Sequence, residues 1–236
     1  MLKNKKLSKF KKILYVLLII LIIEAILIYF NHKNNTKTST NKNPKNMLVL
    51  VDATSNILSV FENDKLLKSY VVAAGKPSTP SPIGTWKIIS KGTWGEGFGG
   101  RWMGFNVPWG KYGIHGTNKP YSIGWNSSKG CIRMRNKDVA SLYKLLPYGT
   151  PVIIWSGPYG NFGSNLRTLK PGMTGADMYE IQKILKDKGY YKGNPNGMYS
   201  QNMKSVFHKF QRDNKIPVTD TIGNAFYKKL GIELLD

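Results

Sequence analysis

The chain contains 236 residues, and its 35 lysine and arginine residues against 13 acidic residues give a formal charge of +22 at neutral pH. A chain of this length suggests one or two domains, and the single cysteine excludes an intrachain disulfide. The charge alone would suit a nucleic-acid-binding protein, but we favour lysine as the general polar surface residue of this sequence and expect no nucleic-acid partner.

The N-terminal region predicts a membrane anchor. Residues 13–30 form an apolar run broken only by Glu24, and at about 1.5 Å per residue such a helix would span about 27 Å, enough to cross a hydrocarbon core. The lysine-rich residues 1–12 are expected to stay in the cytoplasm, which places the rest of the chain outside. A cleavable signal peptide is the alternative, but no small-residue cleavage pattern follows the run. We predict a single-pass cell-membrane protein, with the polar residues 31–46 as a flexible tether.

Residues 47–156 are predicted to form a mainly β domain. Short apolar segments alternate with polar turns, and only one segment has helical periodicity. Strands that are separated by turns with little helix favour a β-sandwich or an open barrel. The predicted strands are 47–51, 57–61, 66–74, 85–89 and 152–155, and the predicted helix is 136–146.

Beyond this domain the hydrophobic period changes to that of helices. Residues 157–165 contain several glycines and are predicted to be a linker, and residues 166–236 are predicted to form a small three-helix domain. The three apolar stripes consist of Met178, Ile181, Ile184 and Leu185, then Met203, Val206, Phe207 and Phe210, and finally Ala225, Phe226 and Leu230.

Cys131 and His115 are a candidate catalytic pair. A thiol near its ordinary pKa is little ionised at neutral pH and needs a base, while Lys129 and Arg133 supply positive charge that favours the thiolate. Gly130 permits close approach of a ligand to the backbone, and the amides of Gly130 and Cys131 are natural oxyanion donors. A buried structural cysteine beside an unrelated histidine is the alternative, and these flanking residues argue against it.

The motif around the pair resembles a known family. His-Gly-Thr at 115–117, followed by Ser-Lys-Gly-Cys-Ile-Arg-Met at 128–134, resembles the YkuD-type L,D-transpeptidases of bacterial cell walls. Residues 78–86 resemble the Thr-Pro-x-Gly segment of this family, and residues 99–104 resemble its stretch ahead of the histidine. The resemblance extends over about residues 47–155 and implies a YkuD-like β-sandwich or open-barrel catalytic domain.

The resemblance also implies residue roles. Cys131 would be the nucleophile and His115 its base, with the backbone carbonyl of Gly116 orienting the imidazole. Ser128 would brace the cysteine loop. Arg133 would hold that loop or a substrate carboxylate, and a purely structural salt bridge is its alternative role.

The reaction that the resemblance implies is acyl transfer on peptidoglycan stem peptides. The thiol attacks the carbonyl of the third stem residue, the terminal D-residue leaves, and an amine of a second stem resolves the thioester as a 3→3 cross-link. Water as the acceptor would give an L,D-carboxypeptidase instead, and a degenerate site would leave a non-catalytic wall-binding scaffold. Further candidate substrate contacts near the motif are Trp102, Tyr112, Thr117 and Trp125.

Two other ligand classes are not expected. Residues 95–100 satisfy the pattern G-x-G-x-x-G, but no βαβ unit surrounds them, so we predict no nucleotide and favour a mobile lid. The histidines are scattered without the spacing of metal ligands. We therefore predict neither a metal nor another cofactor.

The C-terminal segment resembles a second family. Its sequence is similar to the peptidoglycan-binding domain 1 fold, with Asn196, Ser200 and Met203 where aspartate, glycine and threonine are usual. The resemblance implies wall binding, with a spacer role as the alternative, and it leaves the oligomeric state open. The segments that carry it are 169–177, 181–185, 189–191, 196–199 and 210–211.

Overall fold

The computed structural model describes residues 46–232, and these residues form eight strands and four α-helices. In β1 (Met47–Asp52) every second side chain is buried, as expected for a strand with one face on a core. The other strands are β2 (Ile57–Glu62), β3 (Lys65–Val71), β4 (Gly84–Gly92), β5 (Trp102–Phe105), β6 (Gly113–His115), β7 (Ile132–Arg133) and β8 (Pro151–Trp155).

The strands form a single mixed sheet in the order β3-β2-β1-β8-β4-β5-β6-β7. The pairs β1–β8 and β6–β7 are parallel, and the others are antiparallel. All five predicted strands are confirmed. The short strands β5, β6 and β7 are absent from the sequence prediction.

In the part of the chain that the structure describes, only isolated bridges, and no full strand pairing, join the two edges of the curved sheet, which corresponds to the open barrel rather than the sandwich. Past the end of β3, Ala73 pairs with Arg133 in the edge strand β7. The Ala73 amide donates to the Arg133 carbonyl at 2.8 Å, and the Arg133 amide donates back at 2.9 Å. Gly75 forms a second bridge with Ser128. The loop that carries Cys131 is therefore attached at the seam of the barrel.

The first hydrophobic core lies inside this sheet. It consists of alternate strand residues such as Val49, Leu58 and Ile114 together with the apolar face of α1 (Asn136–Leu145). In α1, Val139 and Leu142 are fully buried at the spacing of adjacent helical turns. This confirms the predicted helix.

A second hydrophobic core lies among the C-terminal helices. These are α2 (Ala176–Asp187), α3 (Gln201–Asp213) and α4 (Asn224–Leu230), and they confirm the prediction of three helices. Aromatic rings from α3 and α4 meet at its centre, with the Phe207 and Phe226 centroids 5.3 Å apart. Both cores belong to one compact unit.

The segment predicted as a linker packs against the C-terminal core. Residues Gly160–Phe162 form a 3₁₀ helix, and the Phe162 ring lies edge-on to Tyr227, with centroids 5.9 Å apart. The predicted membrane anchor and nearly all of the predicted tether lie outside the described residues. Within residues 46–232, no helix is long and apolar enough to cross a membrane.

Candidate active site

The two parallel strands β6 and β7 place the cysteine and the histidine side by side. Ile114 pairs with Ile132, and His115 pairs with Arg133. One step back in the same register, Cys131 lies opposite Gly113. Because side chains alternate between faces, Cys131 and His115 lie on the same face, about 8 Å apart at Cα by strand spacing and rise. This separation is one that a thiol and an imidazole can bridge.

His115 is held as a neutral imidazole with a defined tautomer. Its ring is buried, and Nδ1 makes a short hydrogen bond to the carbonyl oxygen of Gly116. A carbonyl only accepts, so Nδ1 carries the proton and Nε2 is left as the basic nitrogen. Burial lowers the pKa of His115 to about 4; the Gly116 carbonyl opposes this, and the charge of Arg133 adds to it. Gly116 thus makes the contact that the sequence motif implies for it.

An aromatic stack fixes the imidazole ring from the other side. The Trp102 indole stacks on His115 with centroids 5.8 Å apart, and Phe98 lies 4.9 Å from the same ring. Trp94 covers Trp102 in turn, at 4.5 Å and nearly parallel. Trp102 is only 5 % exposed. It therefore orients His115, and the expectation that it contacts substrate does not fit this burial.

Burial also disfavours the charged form of the thiol. Cys131 is half-buried, and desolvation raises its pKa, although the backbone amide of Gly113 and the charge of Arg133 act in the opposite direction. Its Sγ lies 3.9 Å from the carbonyl oxygen of Lys111. The resting pair is therefore a neutral thiol beside a neutral imidazole, an arrangement in which the base has a proton to remove.

Ser128 and Gly130 set the shape of the cysteine loop. The buried Ser128 hydroxyl donates to the Cys131 carbonyl at 2.6 Å and accepts from the Gly130 amide at 3.0 Å. Gly130 has φ of +110°, and a Cβ there would lie 2.6 Å from Tyr112 Cε1. Because Ser128 already engages the Gly130 amide, the expectation that this amide donates to an oxyanion is not met. The Cys131 amide is the candidate donor.

Arg133 presents a positive charge to the pair. Its backbone amide and carbonyl both hydrogen-bond to Ala73. Its charge lowers the pKa of both His115 and Cys131. Among residues 46–232, no carboxylate lies within ion-pair distance of its guanidinium. The alternative of a structural salt bridge therefore has no support within this part of the chain.

The three other predicted substrate contacts lie in different environments. Thr117 is 5 % exposed and its hydroxyl accepts the Lys119 amide at 3.0 Å, so it shapes a turn rather than facing substrate. Trp125 is 70 % exposed. Tyr112 is half-buried, with its ring against Gly130. Only Tyr112 and Trp125 have surface that a substrate could contact.

Asn136 is a site residue that the sequence motif does not reveal. Its Oδ1 accepts the Thr117 amide at 2.8 Å and lies where a Cβ on Gly99 or Gly116 would fall. The side chain thereby joins the start of α1 to the loop that follows His115 and to the glycine-rich segment. A polar residue at the start of a predicted helix was the available signal.

Two cavities are lined by residues from segments that neighbour the pair, and neither lining includes Cys131 or His115. One, of about 590 Å³, is bordered by Trp94, Asn136 and the two ends of the glycine-rich segment, Gly95–Glu96 and Gly99–Gly100. The other, of about 630 Å³, is lined by Tyr112 and Lys129 on one side and by C-terminal residues such as Arg167 on the other. Within the glycine-rich segment, Glu96–Phe98 form a 3₁₀ turn.

Family models match both parts of the chain. The model described as "L,D-transpeptidase catalytic domain" matches residues 46–154, and the one described as "Putative peptidoglycan binding domain" matches residues 174–230. The first match contains Cys131, His115 and the residues that contact them. The second covers the three C-terminal helices.

Curated relatives point to the same family. The chain is 43 % identical over 112 residues to "Putative L,D-transpeptidase YkuD" of Bacillus subtilis, covering 47 % of this chain and 66 % of the relative. It is 41 % identical over 107 residues to the protein of the same name in Bacillus licheniformis, covering 45 % and 64 %. To "Putative L,D-transpeptidase YqjB" of Bacillus subtilis it is 35 % identical over 127 residues, covering 47 % and 72 %. The chain thus spans slightly less than two thirds of the two YkuD proteins.

Proposed function

Because the chain belongs to the L,D-transpeptidase family, we propose that it transfers acyl groups between peptidoglycan stem peptides, with Cys131 as the nucleophile. One observation carries the proposal: the parallel register of β6 and β7 puts Cys131, the residue before β7, on the same face as His115, whose unprotonated Nε2 is the available base. A nucleophile, a base and a third group that orients the base form the set that recurs in enzymes of covalent acyl transfer.

The first step forms a thioester. Nε2 of His115 takes the thiol proton as Sγ of Cys131 bonds to the carbonyl carbon of the third stem residue. The tetrahedral intermediate carries its negative charge on the former carbonyl oxygen, where the Cys131 amide can donate to it. The carbon–nitrogen bond then breaks, and the departing D-amino acid takes the proton from Nε2 on its amine.

The second step resolves the thioester. An amine from another stem peptide attacks the thioester carbon and passes a proton to Nε2 of His115. The carbon–sulfur bond breaks, and the thiolate of Cys131 recovers the proton from the imidazolium. The products are a 3→3 cross-link and the original thiol. With water in place of the amine, the same steps would hydrolyse the thioester and trim the stem.

Arg133 supports both steps through charge. Its guanidinium is half-buried beside the pair and has no carboxylate partner among residues 46–232. It can therefore receive a stem carboxylate, for which an arginine fork is well suited. It also disfavours protonation of His115 in the resting enzyme, which keeps the base available.

The test uses the full chain and a disaccharide-tetrapeptide, with the products identified by mass spectrometry. A cross-linked dimer that disappears in Cys131→Ala would support the proposed transpeptidase. Tripeptide as the sole product would identify a carboxypeptidase. Absence of any turnover, with equal binding by the wild-type and Cys131→Ala chains, would identify a non-catalytic wall-binding scaffold and overturn the proposal.

The regions before and after the catalytic part extend the proposal to the location of the protein in the cell. The match of residues 174–230 to a peptidoglycan-binding family supports wall binding by the helices. The apolar residues 13–30 after a lysine-rich segment support a single-pass anchor in the cell membrane, with the site facing the wall. Fractionation of cells, followed by protease treatment of intact spheroplasts, tests this topology, because only an outward-facing site would be digested.

A further inference from the structure

A cleft between the catalytic sheet and the C-terminal helices carries a further inference. Its volume is about 630 Å³, within the range of sites that enclose a drug-sized ligand. One wall comes from the catalytic part, namely residues 77–83 with Tyr112 and Lys129. The opposite wall comes from the C-terminal part, including Asn161, Asn165 and Arg167.

An aromatic junction holds these two walls at a fixed distance. The Trp109 ring of the catalytic part lies directly against Gly197, where a Cβ would be 2.3 Å from Trp109 Cε3. Tyr179 of α2 packs against both Trp86 and Trp109, at 5.8 and 5.5 Å between centroids. Trp86 and Trp109 also meet edge to face at 5.3 Å. The cleft is therefore preformed, and its walls need not come together on binding.

The cleft lies on the side of the thiol opposite to the imidazole. Strands β6 and β7 run parallel, with Cys131 level with Gly113. Tyr112 and Lys129, which line the cleft, lie in the segments that lead into β6 and β7, whereas His115 is the last residue of β6. The Tyr112 ring packs on Gly130, so the cleft reaches the loop that carries the nucleophile.

The chemistry of the reaction assigns different parts of the substrate to the two sides. The amine that leaves in the first step and the amine that arrives in the second both exchange a proton with Nε2 of His115. Both amines must therefore lie on the imidazole side. The acyl part of the donor, which stays attached to Cys131 between the two steps, must extend in the other direction.

We propose that the cleft is the binding site for the retained acyl part of the donor stem, and that the C-terminal helical module forms its outer wall. This assignment rests on the proposed function. It gives the module a second role, in which it contacts the stem that is being processed as well as the wall at large. The catalytic domain without the module would have only half of this site.

The polar groups in the cleft suit an amide-rich peptide with free carboxylates. Arg167 is held by Asp177, with Nε and Nη2 at 2.7 and 2.8 Å from the two carboxylate oxygens, which leaves Nη1 for a ligand. Lys129 supplies a second, exposed cation on the facing wall. Asn161 and Asn165 offer exposed amides that can both donate and accept hydrogen bonds.

Binding in an inactive background tests the assignment separately from catalysis. In the full-length Cys131→Ala chain, Asn165→Trp should fill the cleft from its C-terminal wall and weaken disaccharide-tetrapeptide binding at least tenfold by calorimetry. Disaccharide-tripeptide, which lacks the terminal D-residue, should bind with similar affinity and show the same tenfold loss. Asn202→Trp, an exposed asparagine at the start of α3 outside the cleft, is the matched control and should bind both ligands as Cys131→Ala does.

A second variant keeps the result decisive if Asn165→Trp disturbs folding. Asn161→Trp lies on the same wall, and the iodoacetamide alkylation rate of Cys131, measured with the cysteine restored, reports whether either variant keeps an intact site. The donor-site assignment would be overturned if Asn165→Trp or Asn161→Trp kept both the alkylation rate of Cys131 and the affinity for disaccharide-tetrapeptide. It would also be overturned if disaccharide-tripeptide failed to bind. Normal binding without turnover by the wild-type chain would instead refute the proposed function, and with it the donor role, and would leave the cleft only as a binding site for stem peptides.

Discussion

Ala73 and Arg133 exchange two backbone hydrogen bonds, and this pair, with the bridge between Gly75 and Ser128, joins the two edges of the sheet on either side of Cys131, the proposed nucleophile. The segment before Cys131 is held by the same seam, because the Ala74 carbonyl accepts the amides of Ser127 and Ser128. The cysteine loop is therefore built into the sheet closure. Its position depends on the register of the whole barrel, and not only on its own sequence.

Removing the thiol of Cys131 should reduce turnover more than removing the imidazole of His115. Cys131→Ala should abolish thioester formation and reduce turnover to background, because no other thiol exists in the chain. His115→Gln keeps a polar side chain but removes the base, and should lower kcat/KM by about 10²- to 10⁴-fold. Steady-state kinetics on disaccharide-tetrapeptide measures both. Near-normal turnover in Cys131→Ala would contradict the assignment of the nucleophile.

Loss of the Ser128 hydroxyl should destabilise the cysteine loop. Ser128→Ala leaves the Gly130 amide and the Cys131 carbonyl without their buried partner, which should cost about 1–3 kcal/mol of unfolding free energy. Urea unfolding measures the loss. Ser141→Ala, which removes an exposed hydroxyl on α1, is the control and should change stability little. Equal stability of the two variants would show that the Ser128 contacts carry no net energy.

The junction between the two parts can be tested with paired glycine variants. Gly197 and Gly189 have similar positive φ values, +68° and +79°, so alanine at either position introduces backbone strain of a similar kind. Only at Gly197 would the new Cβ press on Trp109. Gly197→Ala should therefore lower Tm more than Gly189→Ala and change the near-ultraviolet circular dichroism of tryptophan. Equal losses of Tm in the two variants would mean that the Trp109 ring moves away from the new Cβ without loss of stability.

Acidification should lower the free energy of unfolding at pH values above the one at which His115 is protonated in the folded protein. The folded-state pKa of His115 is lowered by burial to about 4, whereas an unfolded histidine titrates near 6.5. Between these values the unfolded chain binds more protons, so stability should fall as pH drops from about 6.5 to 4, by up to about 3 kcal/mol. Urea unfolding at several pH values measures this slope, and His115→Gln should reduce it.

The same shift predicts the acidic limb of the activity profile. Because the free enzyme keeps a neutral imidazole down to about pH 4, kcat/KM should lose half of its value near that pH rather than near 6.5. The measurement is kcat/KM over a range of pH in which circular dichroism shows the chain to be folded. A midpoint close to 6.5 would indicate that the imidazole is more solvated than its contacts with Trp102 and Phe98 imply.

The sequence predicts the regular elements well and the elements of the site poorly. The longer strands and all four helices have clear hydrophobic periods and are confirmed. Strands β5, β6 and β7 contain only four, three and two residues, too few for a period to be recognised, and two of them contain glycine. Their pairing depends on distant parts of the chain and is not encoded locally.

The motif identifies the chemical groups but not their surroundings. Cys131 and His115 are proposed as the catalytic pair from the sequence alone, and the backbone carbonyl of Gly116 accepts from the imidazole as expected. The burial of Trp102 beneath Trp94 is a tertiary property, so the sequence does not distinguish a residue that orients the base from one that contacts substrate. The role of Asn136 and the cleft walls likewise depends on contacts between residues far apart in the chain.

Because Trp109 contacts Gly197, the catalytic part and the helical part are expected to stay associated even when the backbone between them is cut. The connecting residues Ser164 and Asn165 are exposed, so a protease could cut the backbone there while the aromatic junction stays intact. The nicked protein would then migrate as one species on a native gel and as two fragments in detergent. An excised helical module would be expected to rebind its own catalytic partner before any other surface.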